Sequence, residues 1–284
     1  MLFILYNSLS NNGRGKEEAE KIPAGNEKDI QYVDIVSVKD YHELFKMIGD
    51  AKLILAGGDG TLHNFINNLP EEYCERDIYY YPAGSGNDFA NDIELKKEDG
   101  PVLLTPYIKN LPTVTLKGVT KKFLNNVGFG IDGYCCEKGD EHRKKSTKPV
   151  NYTTIALKGF LYDYKPSRVH IEADGASYDF DNVWMAPAMN GRFYGGGMMI
   201  TPMQDRRNKE HTMTLVVVHN KSKLRILTLF PKIFKGNHVK YNDVVEFKEH
   251  VKHATIEFER PTSVQLDGET YLNVKVVEVN SCCQ

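Results

Sequence analysis

The chain has no apolar run approaching the roughly twenty residues that a membrane-spanning helix needs. Its opening, Met1-Leu2-Phe3-Ile4-Leu5-Tyr6, is too short for the core of a signal peptide. It also lacks charge of one sign: Lys plus Arg number 36 against 38 Asp plus Glu, a formal net charge of −2. That balance speaks against a dedicated nucleic-acid binder, which is normally basic. Cysteine is sparse and oddly placed. Cys74, the adjacent Cys135 and Cys136, and the adjacent Cys282 and Cys283 make five without ligand spacing. Neither a disulfide framework nor a zinc site is expected from them, and they read as reduced thiols in a cytosol. The Cys282-Cys283-Gln284 tail does not fit the prenylation signal. No internal repeat is visible, and neither the P-loop pattern nor the dinucleotide fingerprint occurs. These absences lead to the expectation of a soluble, cytoplasmic globular protein without nucleic-acid partners.

What the chain does have is concentrated in residues 52–91. Leu53-Ile54-Leu55-Ala56 reads as a buried parallel strand. It empties into Gly57-Gly58-Asp59-Gly60-Thr61, followed by an amphipathic helix over residues 62–69. A second run, Ile78-Tyr79-Tyr80-Tyr81, empties into Pro82-Ala83-Gly84-Ser85-Gly86-Asn87-Asp88. Glycines at the carboxyl end of a strand let a ligand approach bare main chain, and successive N–H groups beside a helix start suit phosphate. Each turn also carries an acid and a hydroxyl, Asp59 with Thr61 and Asp88 with Ser85. Those are groups that a nucleotide phosphate with a divalent ion would use.

Around this stretch, residues 2–6 and 30–38 read as further strands and residues 41–48 as a helix with Leu44, Phe45 and Ile48 on one face. Strand and helix alternating in this way predict a doubly wound parallel sheet, with ligands at the carboxyl ends of its strands. Near Leu111-Pro112 the character changes to strand after strand. The expected organisation is therefore an α/β domain over residues 1–112, then a mostly antiparallel β-sandwich-like domain over residues 113–284. Residues 138–148, rich in lysine, read as a solvated loop and residues 151–164 as a helix packed on the sheet, or the two together as a basic and apolar lip that meets an anionic membrane surface; residues 224–233 read as a further helix.

The two glycine turns resemble those of the diacylglycerol kinase catalytic-domain family, which includes bacterial soluble lipid kinases and is related to sphingosine and ceramide kinases. Further elements match in family order: Phe123-Leu124-Asn125-Asn126-Val127-Gly128-Phe129-Gly130, then Asn190-Gly191-Arg192-Phe193-Tyr194-Gly195-Gly196-Gly197-Met198, then Leu266-Asp267-Gly268-Glu269. The resemblance implies ATP and magnesium as cofactors and an active site in the interdomain cleft. It implies Asn7, Ser37, Gly57, Gly58, Asp59, Gly60, Thr61, Gly84, Ser85, Gly86 and Asn87 at the nucleotide, and Asp88 and Arg14 at the substrate. Glu269, Asp267 and Asp59 would be catalytic, Glu269 as general base, with Asp59 and Asp267 organising the metal. By itself Asp267-Gly268 between apolar runs reads as a hairpin turn. Where bacterial members carry an Asp-Asp-Gly that supports a second magnesium, this chain has Met203-Gln204-Asp205-Arg206-Arg207. Asp205 or Glu210 substituting for that motif, and a cation-free loop braced by Arg206 or Arg207, both stay open.

The leading expectation is an ATP-dependent lipid kinase that meets its substrate at the membrane surface by transient peripheral contact. A homodimer stays open. Kept beside it are a kinase for a soluble acceptor such as NAD and a catalytically silent nucleotide- or lipid-binding regulator.

Overall fold

The computed structural model describes residues 1–282 apart from 24, 26, 147 and 149, so Cys283 and Gln284 of the tail lie outside the described residues. The chain divides into two units, Met1–Asn110 and Leu111–Gln284. Among the described residues no helix is long and apolar enough to cross a membrane.

In the first unit, β1 (Leu2–Tyr6), β2 (Ile30–Asp34), β3 (Lys52–Gly57), β4 (Ile78–Pro82) and β5 (Val102–Leu103) form one sheet in the order β2-β1-β3-β4-β5. The first four are parallel and β5 runs antiparallel to β4. The chain steps outward from β1 to β2 and then returns past β1 to β3, so the strand order reverses between β1 and β3. Leu53, Ile54, Leu55 and Ala56 are each at most 1% exposed, as a strand covered on both faces requires. The helix Tyr41–Ile48 starts where the Asp40 carboxylate accepts from the N–H groups of His42 and Glu43. Its Tyr41 and Phe45 rings pack on Phe65 of the helix Asp59–Asn68.

One departure from the sequence reading matters for the site. β2 stops at Asp34 instead of running to Val38, because the Asp34 carboxylate accepts from Val36 N–H at 3.2 Å and Ser8 N–H at 3.1 Å. Those bonds turn the chain into a short 3-10 segment, Ile35–Ser37, and leave Ser37 exposed beyond the strand.

The second unit is antiparallel β. Its strands are β6 (Thr113–Leu116), β7 (Val119–Lys122), β8 (Asn126–Phe129), β9 (Ser167–Ala173), β10 (Ala176–Met185), β11 (Ala188–Met189), β12 (Phe193–Tyr194), β13 (Met198–Met199), β14 (Met213–His219), β15 (Val245–Val251), β16 (His253–Leu266) and β17 (Glu269–Asn280). Apart from the small β12–β13 pair they form one sheet. β16 decides its shape: residues 254–258 pair with β9 and residues 264–266 with β8, so the sheet curls and closes on itself. The register slips between these halves, where Pro261 brings no N–H to the ladder.

β14 is buried on both faces. Met213, Leu215 and Val217 enter one core with Phe129 and Phe258, while Val216 and Val218 enter another with the helix Lys223–Ile233.

Three two-residue hairpin turns have both central residues at positive φ: Lys117-Gly118, Asp174-Gly175 and Asp267-Gly268. The first joins β6 to β7. Residues 138–145 are not loop but the end of a helix, Ile131–Lys145, braced by Lys138–Glu141 and Arg143–Asp140 ion pairs one turn apart.

That helix crosses β16 at Gly133, where an added Cβ would stand 1.8 Å from the carbonyl oxygen of Ser263. Gly133→Ala is therefore expected to cost about 1–3 kcal/mol of stability, read as a lower urea midpoint. An unchanged midpoint would mean the helix does not lie on the strand.

Candidate active site

In the first unit the strand register sets Tyr6 beside both Asp34 and Ala56, and Ala56 beside Tyr81. The turns after β1, β2, β3 and β4 therefore emerge along one edge of the sheet. Asn7 ties two of them together. Its side-chain amide donates to the Thr61 hydroxyl at 3.2 Å, while its oxygen accepts from Leu9 N–H at 2.9 Å. Ser37 is at the same edge, its hydroxyl donating to the Asp34 carbonyl at 2.7 Å. Arg14 lies exposed between the short helices Ser10–Gly13 and Gly15–Glu20.

The glycines of the two turns fall into two groups. A Cβ on Gly57 would meet the Thr61 Cβ at 2.4 Å. One on Gly58 would meet the Gly86 carbonyl oxygen at 2.5 Å, and one on Gly84 would meet the Gly58 Cα at 2.4 Å. Gly58 and Gly84 are bare because the turns press backbone against backbone, and Gly57 because the Thr61 side chain fills the space. Gly60 and Gly86 are different. Both are exposed, neither has a left-handed φ, and a Cβ would find open space at Gly60 and only an ordinary contact, 3.6 Å to Asp59, at Gly86. The fold does not require glycine at either.

The Asp59 carboxylate accepts from the N–H groups of Asp88 at 2.8 Å and Phe89 at 2.9 Å, one on each oxygen. It thereby caps the helix Asp88–Asp92 across the two turns. Asp88 is buried and Ser85 exposed beside it. Asn87 donates to the Gly84 carbonyl at 2.9 Å, but its own Oδ1 is buried with no partner among the described residues.

In the second unit Asp267 occupies the β16–β17 hairpin, 8% exposed. Its carboxylate accepts three backbone N–H groups, from Leu124 at 2.6 Å, Asn125 at 2.8 Å and Asn126 at 3.1 Å. The same segment is held from its carbonyl side, where Asn190 donates to Leu124 at 2.8 Å. Arg206 reaches it as well, to the Leu124 carbonyl and to Asn125 Oδ1 at 2.9 Å. The loop that departs from the family pattern is thus braced by a guanidinium. Asp174, in the other Asp-Gly hairpin, does likewise: its carboxylate accepts from Lys252 and His253 N–H. Both hairpin aspartates thus anchor backbone amides of a segment distant in sequence. Glu269, first residue of β17, is exposed. Among the described residues no group of three or more His, Cys, Asp or Glu is placed to hold a metal ion.

Residues 1–114 match the model of the diacylglycerol kinase catalytic domain. Residues 125–280 match the YegS C-terminal NAD kinase beta sandwich-like domain. The chain belongs to the diacylglycerol kinase catalytic-domain family. Among relatives of this family member, YtlR of Bacillus subtilis (strain 168) is 28% identical over 215 residues, 69% of this chain and 67% of that protein. A diacylglycerol kinase of Mycobacterium tuberculosis (strain ATCC 25618 / H37Rv) is 25% identical over 254 residues, 84% of this chain and 80% of that one. A crystal structure of a diacylglycerol kinase from Bacillus anthracis str. Sterne shares the fold at a TM-score of 0.59 and 17% identity, covering 99% of this chain and 93% of that one.

This kinase-family member also carries a polar group that the motif reading did not assign. Gln265 Nε2 and Asn126 Nδ2 are buried without a hydrogen-bond partner among the described residues, and the buried Asp132 carboxyl lies within hydrogen-bonding reach of the Tyr194 hydroxyl. Unpaired buried polar atoms mark places for ordered water or a polar ligand group. Asp132 and Gln265 meet over Gly128, where a Cβ would stand 2.9 and 2.5 Å from them. Asp132 was visible as an acid in a glycine-rich stretch; Gln265 had no signal, since only the closing of the sheet puts it there.

Two outcomes are expected. Gly60→Ala should raise stability by about 0.5–1 kcal/mol, as for a helical glycine with room to spare, yet weaken ATP binding in a filter or calorimetric assay. Unchanged ATP affinity would show that nothing approaches this turn. Separately, burial pushes the Asp132 carboxyl up from 3.8 to about 7. The folded chain then keeps a proton that the unfolded chain has released, so this group disfavours folding progressively as pH rises through that window, by on the order of a few kcal/mol. From about pH 5 to about pH 8 Asp132→Asn should lose less stability in urea titrations than wild type. An equal loss would remove Asp132 as the cause.

Proposed function

We propose that this chain transfers the γ-phosphate of ATP to the hydroxyl of a lipid, diacylglycerol first among acceptors. The observation that carries the reading is the bareness of Gly60 and Gly86, which the packing does not demand, at the carboxyl edge of a parallel sheet. Exposed Ser85 and the unpartnered Oδ1 of Asn87 adjoin them and fit a nucleotide that offers both acceptor oxygens and donor N–H groups. Asn7, Ser37 and Thr61 complete the set assigned to it. Arg14 and Asp88 keep the assignment to substrate.

Phosphoryl transfer from ATP ordinarily uses magnesium. The two carboxylates expected to organise it accept backbone amides, Asp59 from Asp88 and Phe89 and Asp267 from Leu124, Asn125 and Asn126. They are assigned to holding the turns. As the acceptor oxygen bonds to phosphorus and the bond to the departing diphosphate breaks, the hydroxyl proton needs a base. Glu269 is the residue assigned to take it.

Incubation with labelled ATP, magnesium and a total lipid extract, beside NAD and sugar phosphates, separates the readings by which compound carries the label. A labelled soluble compound would favour the soluble-acceptor kinase; ATP binding without labelling would favour a silent regulator. Glu269→Gln should lower turnover about 10²–10⁴-fold with the urea midpoint and ATP affinity unchanged, because the side chain is exposed. Wild-type turnover in that variant would remove Glu269 as the base.

A further inference from the structure

Two helical segments of the second unit pack side by side. One is Tyr152–Lys158 with the wider turn Gly159–Asp163 that continues it; the other is Lys223–Ile233. Their inner sides share one cluster, in which Phe160 meets Trp184 at 5.5 Å and Phe230 at 5.6 Å. Their outer sides are apolar where a surface helix is normally polar. Tyr162 is 75% and Leu224 72% exposed, and Leu157, Leu161 and Phe234 each exceed 40%. Two contacts connect these positions. Lys223 donates to the Leu161 carbonyl at 3.0 Å, tying the start of one segment to the end of the other. Phe230 meets Phe234 at 5.7 Å and carries the patch to its far end.

The charge around it is lopsided. Residues 151–165 and 221–235 hold seven basic side chains and one acidic, in a chain whose net charge is −2. Lys158 pairs with Asp163 and Arg225 with Asp243. Lys165, Lys221, Lys223 and Lys235 have no ion pair among the described residues, and Lys232 lies over the Tyr241 ring. A second copy docking through a two-fold axis would set these cations against one another. An anionic bilayer satisfies both features: apolar side chains enter the boundary below the headgroups while lysines meet lipid phosphates. We propose that this face, led by Leu161, Tyr162, Leu224 and Phe234, docks the protein on an anionic membrane surface. Its purpose rests on the lipid-kinase reading; its test does not.

The full chain, without ATP, is sedimented with vesicles of phosphatidylcholine alone and of phosphatidylcholine mixed with phosphatidylglycerol. Binding is expected to the mixed vesicles only, and to fall as salt is raised. Lys221→Gln/Lys223→Gln/Lys235→Gln should weaken it about 100-fold at low salt, about fivefold per lysine. Leu161→Ser/Leu224→Ser should weaken it at least about tenfold. Val276→Ser, an equally exposed apolar residue on β17, should leave it unchanged, and thermal melts should show all variants folded. Equal binding to both vesicle types, no binding to either, or wild-type binding by both multiple variants would overturn the proposal. So would a dimer in size exclusion that the leucine variant dissolves while vesicles go unbound. Vesicle binding without phosphate transfer would sink the kinase reading alone. Transfer to detergent-dispersed lipid without vesicle binding would sink this one alone.

Discussion

An aspartate carboxylate accepting backbone N–H groups from a segment far away in sequence recurs in both units, and the turns depend on it. Asp34 holds Ser8, Asp59 holds Asp88 and Phe89, Asp174 holds Lys252 and His253, and Asp267 holds residues 124–126. A charged acceptor makes a shorter and stronger bond than a neutral one. Each pair therefore fixes the separation of two segments at or just beyond the last paired strand residues. Removing the Asp267 carboxylate would strand three buried N–H groups, at greater cost than the bonds themselves contribute.

This arrangement changes what an acid in a family motif means. Asp59 and Asp267 stand where phosphate chemistry would want carboxylates, yet both are occupied with main chain. Glu269, two residues beyond Asp267 and exposed, has no such commitment. Asp174 makes the point independently, since it builds the same hairpin and the same kind of tether at the far end of β9 with no part in any motif. A carboxylate can still serve a reaction by keeping the glycine turns rigid, because bare amides orient a ligand only when they do not move.

The second unit carries two kinds of unsatisfied surface. Inside, burial pushes the Asp132 carboxyl up despite the Tyr194 hydroxyl within its reach. Outside, the paired helices expose aromatic and leucine side chains framed by lysines. The paired helices cover the closed sheet, where side-chain choice is least constrained by strand pairing.

Much of the fold was legible because hydrophobic periodicity and glycine turns are local signals. The run 53–56, the face of Leu44, Phe45 and Ile48, and the change of character near residue 112 each follow from neighbouring residues alone. The Lys117-Gly118 turn and the helical state of residues 138–145 were not legible, since lysine runs look the same in a helix and in a loop. The reason for each glycine was hidden as well: sequence shows only that a side chain is absent, and packing shows whether one would fit. The sequence by itself determined which residue types stand in which order, and with them the family and the two-part organisation. Only the tertiary structure decided that Asp267 bonds amides, that Arg206 braces the loop, and that Leu161 and Leu224 share a face, because each is a contact between residues dozens of positions apart.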